Sequence, residues 1–315
     1  MRGMNVRIEA APMQGYTDGI FRSVYAQCFP GAVDRAYTPF LDLERGDLRP
    51  RDRRELAVAA GEAFEVTPQI VAASPEQAVA LQAFVSAAGF DAINLNLGCP
   101  YPMVTRRRKG AGALPHPALV ESLLGALFEG APMRVSIKSR LGLQSPREFE
   151  ALIPILNRFA LEKVILHPRT ATQLYDGAPN WDAFADYGRA LTAPVIANGD
   201  IRSAADAARI LERFPFIDGI MAGRGILCDP LLPFRIRGLP ISDAPGMLKT
   251  FHDRLLAADE GGRSPSHLLD KMTAFWRYFS AAFPCPDKAY KKIKKSKTLN
   301  AYRANVEEVF ETVVQ

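Results

Sequence analysis

The stretch PVIANGDIRSAADAARILERFPFIDGIMAGRG, residues 194–225, contains one complete strand–helix–strand unit. Its apolar, β-branched runs Pro194–Asp200 and Gly219–Gly225 are typical of buried strands. Between them, Ser203–Phe214 has helical spacing and begins with serine, a favourable helix cap. Two strands joined through a helix are parallel neighbours, because a parallel pair needs a crossover connection. This unit therefore predicts a parallel sheet covered by helices.

The same alternation recurs through the first 225 residues, with helical patterns such as Pro75–Ala88 and Pro117–Phe128 between the strands. Eight such units in about 230 residues are the count and the length of a (β/α)8 TIM barrel, which is the fold we predict. A doubly wound sheet is the alternative, although it requires neither eight units nor such even spacing. We expect the strands at Ile8–Met13, Arg35–Phe40, Val66–Ala72, Ala92–Gly98, Arg134–Arg140, Lys163–Arg169, Pro194–Asp200 and Gly219–Gly225.

The chain changes character after Gly225. Prolines and glycines punctuate a connector, and beyond it apolar residues such as Phe275, Trp276 and Phe279 follow helical spacing without any strand pattern. We therefore predict two domains, the barrel over residues 1–240 and a small all-helical bundle over residues 241–315. The aromatic residues are expected to form the core of that bundle.

The composition excludes several classes of protein. Of 315 residues 48% are hydrophobic and 23% are charged, with 39 basic and 34 acidic side chains, so a disordered or fibrous chain is excluded. The four cysteines have no C-x-x-C spacing and the four histidines no ligand spacing, so we expect neither a disulfide framework nor a metal. No apolar run approaches the roughly 18 residues of a membrane helix, and we expect a cytoplasmic monomer.

Polar residues stand where the predicted strands end, which is where such barrels carry their active sites. The last two strands end in glycine-containing turns, with Arg224 in the second. Loops after strands 7 and 8 are the usual phosphate site of this fold, so we predict one here; the alternative is that the glycines only form tight turns. The candidate residues at these strand ends are Gln69, Asn96, Cys99, Lys138, His167, Arg169, Asn198, Gly199, Asp200, Gly223 and Arg224.

Lys138 and Cys99 are the two candidate reactive residues. Strand alternation directs Lys138 into the barrel, where it is compatible with a Schiff base, a second anion site or stabilisation of a negative cofactor ring. A solvent-facing rim lysine is the remaining alternative. Cys99 lies between glycine and proline at a strand end, so its thiol is constrained, and catalytic and structural roles are about equally compatible with it.

Seven segments, in order, resemble motifs of the flavin-dependent tRNA-dihydrouridine synthases. The resemblance spans nearly the whole chain and is greatest to the bacterial C-type branch, which acts at position 16 of the D-loop. Two departures are Pro168, where the family commonly has glycine, and Ser139, where an aliphatic residue is usual. The segments are APMQGYTD (11–18), NLNLGCP (94–100), GAGALPHP (110–117), VSIKSR (135–140), LHPRT (166–170), VIANGDI (195–201) and MAGRGIL (221–227).

The resemblance implies reduction of a uridine in tRNA to 5,6-dihydrouridine, with bound FMN and with NADPH as a transient reductant. It implies Cys99 as the general acid that protonates C5, Asn96 as a group that orients the base, and Arg169 as a substrate contact. Lys138 then favours the anionic reduced form of the flavin. The implied FMN-binding residues are Pro12, Met13, Gln14, Gln69, Lys138, His167, Asn198, Gly199, Asp200, Gly223 and Arg224.

Two basic runs favour an RNA partner. Lys288–Arg303 contains six lysines and one arginine without an acidic residue, interleaved with Tyr290 and Tyr302, and Arg106–Lys109 follows Cys99. Such runs are usually only solvated surface, but cations at these places would neutralise phosphates. The expected tRNA contacts are Arg106, Arg107, Lys291, Lys292, Lys294 and Lys295.

Three other functions remain as alternatives. A different FMN-containing TIM-barrel oxidoreductase would act on a small enone or dihydropyrimidine, but it leaves the basic helical tail unexplained. A lyase would form a Schiff base on Lys138. A non-catalytic RNA-binding protein would need no thiol at all.

Overall fold

The computed structural model describes residues 6–57 and 64–314. The strands in these residues are β1 Arg7–Ala10, β2 Arg35–Tyr37, β3 Leu43–Glu44, β4 Asp47–Leu48, β5 Glu65–Thr67, β6 Gln69–Ile70, β7 Ala92–Leu97, β8 Arg134–Gly142, β9 Val164–Thr170, β10 Val195–Asn198 and β11 Gly219–Ala222. The helices are α1 Gly19–Cys28, α2 Pro50–Ala57, α3 Pro75–Ala87, α4 Pro102–Thr105, α5 Pro117–Glu129, α6 Arg147–Glu150, α7 Ile153–Leu156, α8 Trp181–Ala190, α9 Ala204–Arg213, α10 Arg224–Cys228, α11 Leu232–Arg237, α12 Ala244–Glu260, α13 Pro265–Phe279, α14 Pro286–Lys294 and α15 Leu299–Val314.

Nine of these strands form one parallel sheet in the order β5-β2-β1-β11-β10-β9-β8-β7-β6. Its two end strands, β5 and β6, are separated along the chain only by Pro68, which has no backbone N–H to donate to a neighbour. They are therefore two halves of one strand, and the sheet closes on itself as an eight-stranded barrel. The predicted TIM-barrel fold is confirmed.

All eight barrel strands lie where the sequence predicts them, but several are shorter at the carboxyl end. The eighth strand ends at Ala222 and the seventh at Asn198, so Gly199 and Gly223 belong to the turns that follow. The predicted serine caps are present, since Ser74 and Ser203 accept hydrogen bonds from the backbone N–H groups three residues on.

The barrel interior is filled below its carboxyl end. Tyr37, Ile165, Ile196 and Met221 form a buried apolar cluster there with Ala11. Beside it the Glu9 carboxylate accepts hydrogen bonds from the Lys163 ammonium (2.7 Å) and the Tyr37 hydroxyl (2.8 Å), and all three side chains are buried. Among the described residues this filling occupies the barrel interior, and the cavity opens at the carboxyl end of the strands.

The chain after β11 is helical throughout its described part. Trp276, Phe279 and Phe310 form the centre of this region, in agreement with the core predicted from their spacing. Phe251 of α12 packs edge-to-face on Phe21 of α1, with 5.6 Å between ring centroids. The helical region therefore packs directly on the barrel, and a domain boundary at residue 240 stays a prediction.

An ion-pair cluster also joins the helices to the barrel. The Lys271 ammonium on α13 lies 2.7 Å from the carboxylate of Asp18, the cap of α1, and 2.6 Å from that of Asp259 on α12. Arg263 binds Asp259 as well, at 2.8 Å. This cluster fixes α13 close to the first loop of the barrel.

None of the described helices is both long and apolar enough to cross a membrane. Among the same residues, no three side chains of the metal-binding types histidine, cysteine, aspartate and glutamate come together.

Candidate active site

An open cavity of about 240 Å³ lies at the carboxyl end of the barrel strands. It brings together most of the residues that the sequence singled out, although they come from seven different strands and the turns that follow them. The predicted residues that line it are Pro12, Met13, Gln14, Gln69, Asn96, Cys99, Lys138, His167, Asn198, Gly199, Asp200, Gly223 and Arg224.

Cys99 is held at the cavity wall by its backbone. The Asn96 side-chain oxygen accepts hydrogen bonds from the N–H groups of Gly98 (2.9 Å) and Cys99 (2.8 Å). A Cβ atom at Gly110, which has φ +56°, would lie only 2.9 Å from the Cys99 Cβ, so this position requires glycine. Burial raises the pKa of the Cys99 thiol, which therefore stays protonated at neutral pH and is available as a proton donor.

A chain of side-chain amides supports the Cys99 loop from inside the barrel. The Asn96 amide donates to Gln69 (2.7 Å), the Gln69 amide donates to Asn94 (2.7 Å), and Asn94 donates to the Ser136 hydroxyl (2.9 Å). Gln69, Asn94 and Ser136 are paired side by side on β6, β7 and β8, which explains why their side chains meet. Asn94 and Ser136 were not predicted, although each lies two residues before a predicted residue on the same strand face.

Lys138 projects into the cavity without a partner. Burial, together with the positive charge of Arg140 as a smaller cause, lowers its pKa to about 7. Its ammonium has no hydrogen bond or ion pair to any residue that the structure describes, and the buried side-chain oxygen of Gln14 likewise has none. Unpaired polar groups at a cavity wall are costly, so this wall is suited to a polar ligand that completes its hydrogen bonds.

The turns after β10 and β11 form the opposite side of the cavity. The Asp200 carboxylate accepts hydrogen bonds from Arg224 (2.7 Å) and Arg169 (2.6 Å), so its charge is paired with two guanidinium groups and Arg224 is held in place. A Cβ at Gly199 would lie 3.1 Å from the His167 ring, and one at Gly223 would lie 3.2 Å from Ala11. Both turns therefore pack closely against the barrel on one side, and their other side faces the cavity.

His167 and Arg169 lie in different parts of the site, one at the cavity and one behind it. His167 lines the cavity, and burial, then the charges of Arg140 and Lys138, hold its pKa well below the usual range, so the imidazole is neutral. Arg169 is only 1% exposed and donates to Asp200 and to the Gly177 carbonyl. Because Arg169 does not line the cavity, its geometry is that of a support for the Asp200 turn, and its contact with a substrate stays a prediction.

Several lining residues were not predicted from the sequence. Two guanidinium groups lie over the Tyr175 ring. That of Arg224 is 4.0 Å and that of Arg140 is 5.4 Å from the ring centroid. Tyr278, on α13, reaches the mouth and packs edge-to-face on Tyr16. Strand alternation from Lys138 indicates Arg140, but Tyr175 lies in a loop and Tyr278 on a distant helix, where no periodicity relates them to the barrel.

The two basic runs are only partly exposed. Arg106 and Arg107 are exposed, whereas Lys109 is buried and paired with Asp42, so the exposed run ends at Arg108. On α14 and just beyond it, Lys291, Lys294 and Lys295 are exposed, but Lys292 is half-buried and paired with Glu308.

Tyr302 belongs to the core of the helical region, as its helical spacing predicts. Although it is interleaved with lysines in the sequence, it is fully buried, and its hydroxyl accepts a hydrogen bond from the Trp276 indole (2.8 Å). The helical spacing that places Tyr302 in the core therefore outweighs its proximity in sequence to the lysines.

Comparison with known proteins gives one family. The model of the dihydrouridine synthase (Dus) family matches residues 9–238. The tRNA-dihydrouridine(16) synthase of Cupriavidus necator is 29% identical over 283 residues, which are 82% of this chain and 85% of that protein. The probable tRNA-dihydrouridine synthase of Rhodobacter capsulatus is 31% identical over 218 residues, 68% of this chain and 66% of that protein.

Two solved structures share the fold at low identity. A variant of NCR from Zymomonas mobilis superposes with a TM-score of 0.54 at 12% identity, covering 79% of this chain and 91% of that one. Morphinone reductase gives a TM-score of 0.53 at 14% identity and covers 78% and 88%. At such identities the likeness concerns the barrel fold alone.

Proposed function

Because this chain belongs to the dihydrouridine synthase family, we propose that it reduces a uridine of tRNA to 5,6-dihydrouridine. The observation that carries the proposal is the geometry of Cys99. Its protonated thiol opens onto the same cavity wall as the unpaired Lys138 ammonium, so a proton donor and a cation face one ligand space.

FMN is the cofactor that these residues fit. The unpaired groups of Lys138 and Gln14 would complete their hydrogen bonds on the polar edge of the flavin ring, with Pro12, Met13 and Gln69 beside them. The turns at Asn198–Asp200 and Gly223–Arg224 would hold the phosphate. When bound there, FMN would supply the hydride for C6 of the uracil, with NADPH as the reductant.

Cys99 and Lys138 then have complementary roles. The Cys99 thiol gives its proton to C5, so that hydride and proton together saturate the C5–C6 bond, and the thiolate regains a proton from solvent. Lys138 stands where negative charge develops, and an anion beside it raises its pKa above 7 and keeps it charged. Asn96 fixes the Cys99 loop and leaves one amide hydrogen for the base.

The tRNA would approach over two basic surfaces. Arg106 and Arg107 lie beside the cavity mouth, and the lysines lie on the helical region, residues 241–315, which we assign to tRNA binding. The name of the Cupriavidus relative supports position 16 in the D-loop. We propose that the protein works as a monomer in the cytoplasm. The proposed phosphate contacts are Arg106, Arg107, Lys291, Lys292, Lys294 and Lys295.

The test is reduction of an unmodified tRNA transcript by the purified protein. We expect a yellow protein with flavin absorbance that, with NADPH, adds two hydrogens to a single uridine, identified by mass spectrometry. A yellow protein that modifies no uridine but turns over free uracil or a small enone would favour the other oxidoreductase. Colourless protein that borohydride links to a carbonyl compound at Lys138 would favour the lyase.

A further inference from the structure

The exposed apolar side chains of this protein are concentrated around the cavity mouth. Of the seven large apolar residues that stand exposed in the described chain, Tyr101 and Tyr175 line the cavity, and Met103 and Leu174 lie within two residues of them in the sequence. Met103 is 79% exposed and Tyr101 52%, more than any other of the seven. Single exposed apolar residues need no explanation, but their concentration at one opening indicates a contact surface.

The segment that carries Met103 is rigid. Val104, its neighbour, is buried against Cys99, and the N–H of Val104 donates to the Tyr101 carbonyl at 2.8 Å. A Cβ at Gly112 would lie 2.3 Å from the Thr105 carbonyl oxygen, so the following turn packs tightly under α4. Because its support is fixed, Met103 is displayed outward and does not line the cavity.

Positive charge accompanies this apolar tip. Arg106, Arg107 and Arg108 are exposed on the same segment, and no described carboxylate lies within ion-pair distance of them. Free guanidinium groups next to an apolar tip are complementary to a nucleic acid, whose phosphates take the charge and whose bases take the apolar side chain.

We propose that Met103 enters the base stack of the RNA in the place that the target uridine leaves when it moves into the cavity. This inference rests on the proposed function, since it assumes a uridine in folded RNA as substrate. Extrusion of a base costs stacking energy, and an apolar side chain that fills the gap recovers part of it. Arg106 and Arg107 hold the flanking phosphates, and Tyr101, two residues before Met103, lines the cavity.

The experiment compares Met103→Ala with the wild type on two substrates, a folded tRNA transcript and a short single-stranded RNA with the same uridine and neighbours. On folded tRNA, turnover per bound flavin at limiting RNA should fall roughly tenfold, and Met103→Leu should restore most of it. On the short RNA, whose uridine needs no extrusion, the loss should disappear. Val79→Ala, at another exposed apolar residue on α3, is the control and should match the wild type on both.

The outcomes separate this inference from the proposed function. If Met103→Ala equals the wild type on folded tRNA, or is impaired equally on both RNAs, the stacking role is wrong while the proposed activity stands. If the wild type itself reduces no uridine in either RNA, the proposed function is wrong. A lower fluorescence of 2-aminopurine placed next to the target, in the Met103→Ala complex than in the wild-type complex, would support the inference directly.

Discussion

At the scale of the residue, burial acts on the two reactive groups of the cavity in a consistent way. It raises the pKa of the Cys99 thiol and lowers that of the Lys138 ammonium to about 7, so both are shifted towards their neutral forms. A neutral thiol is a proton donor, and an amine that is easily charged responds to an anion bound beside it. The same desolvation therefore prepares both groups for a negatively charged intermediate.

Replacement of Cys99 tests the proton donor. Cys99→Ala should lower turnover on tRNA by roughly 10²-fold or more, because the general acid is lost, while flavin absorbance and RNA affinity remain. The measurement is dihydrouridine formed per bound flavin at saturating RNA. Cys285→Ala, at an exposed cysteine outside the cavity, is the control, and a Cys99 variant with full turnover would contradict the role.

Replacement of Lys138 has an effect on stability whose sign depends on pH. Between about pH 7 and 10.5 the unfolded chain binds more protons at this residue than the folded chain, so its contribution to stability increases with pH. In flavin-free protein, Lys138→Met should therefore raise the free energy of unfolding at pH 7 by about 1–3 kcal/mol, allowing for solvent in the open cavity. Most of that gain should be absent near pH 10.5.

Urea unfolding at the two pH values measures this difference. Lys288→Met, at an exposed lysine, is the control and should change stability little at either pH. An equal gain for Lys138→Met at both pH values would mean that packing, and not the charge of the lysine, is responsible.

At the scale of the element, three neighbouring strands act together through the amide chain on β6, β7 and β8. Ser136→Ala removes the hydroxyl that accepts from Asn94 and leaves a buried donor unpaired, which should cost about 1–3 kcal/mol of stability. We expect kcat to fall several-fold with little change in KM, because the Cys99 loop loses support and the RNA surface does not. Ser122→Ala, on the exposed side of α5, is the control, and an unchanged kcat for Ser136→Ala would separate the amide chain from catalysis.

The elements also show which parts of the site a sequence can predict. Side chains along a barrel strand point alternately inward and outward, and active sites lie where the strands end. Gln69, Asn96 and Lys138 were therefore expected at the rim, and all three line the cavity. Tyr175 and Tyr101 lie in loops, whose course depends on packing rather than on periodicity. In the sequence Lys109 looks like the three arginines before it, and Arg169 looks like a second rim residue beside His167. Only the three-dimensional contacts with Asp42 and Asp200 distinguish them.

At the scale of the whole molecule, the charge of the helical region is best tested by comparing paired and unpaired lysines. Replacement of Lys291, Lys294 and Lys295 by glutamine should weaken tRNA binding and reduce the slope of log affinity against log salt by about 2–3. Lys292→Gln is the matched control, because this lysine is already paired with Glu308 and should contribute less. Binding isotherms at several salt concentrations give the slope, and an unchanged slope for the triple variant would mean that this face does not meet phosphate.

The contact between α13 and the barrel has a consequence for how such proteins can diversify. Lys271 ties α13 to Asp18, and Tyr278 and Arg277 on the same helix form part of the cavity mouth. A chimaera that takes its helical region from a relative would therefore import new side chains into the cavity mouth along with a new version of the basic face that we propose binds RNA. On that proposal, the residues that select the RNA and those that surround the cavity mouth are inherited as one unit.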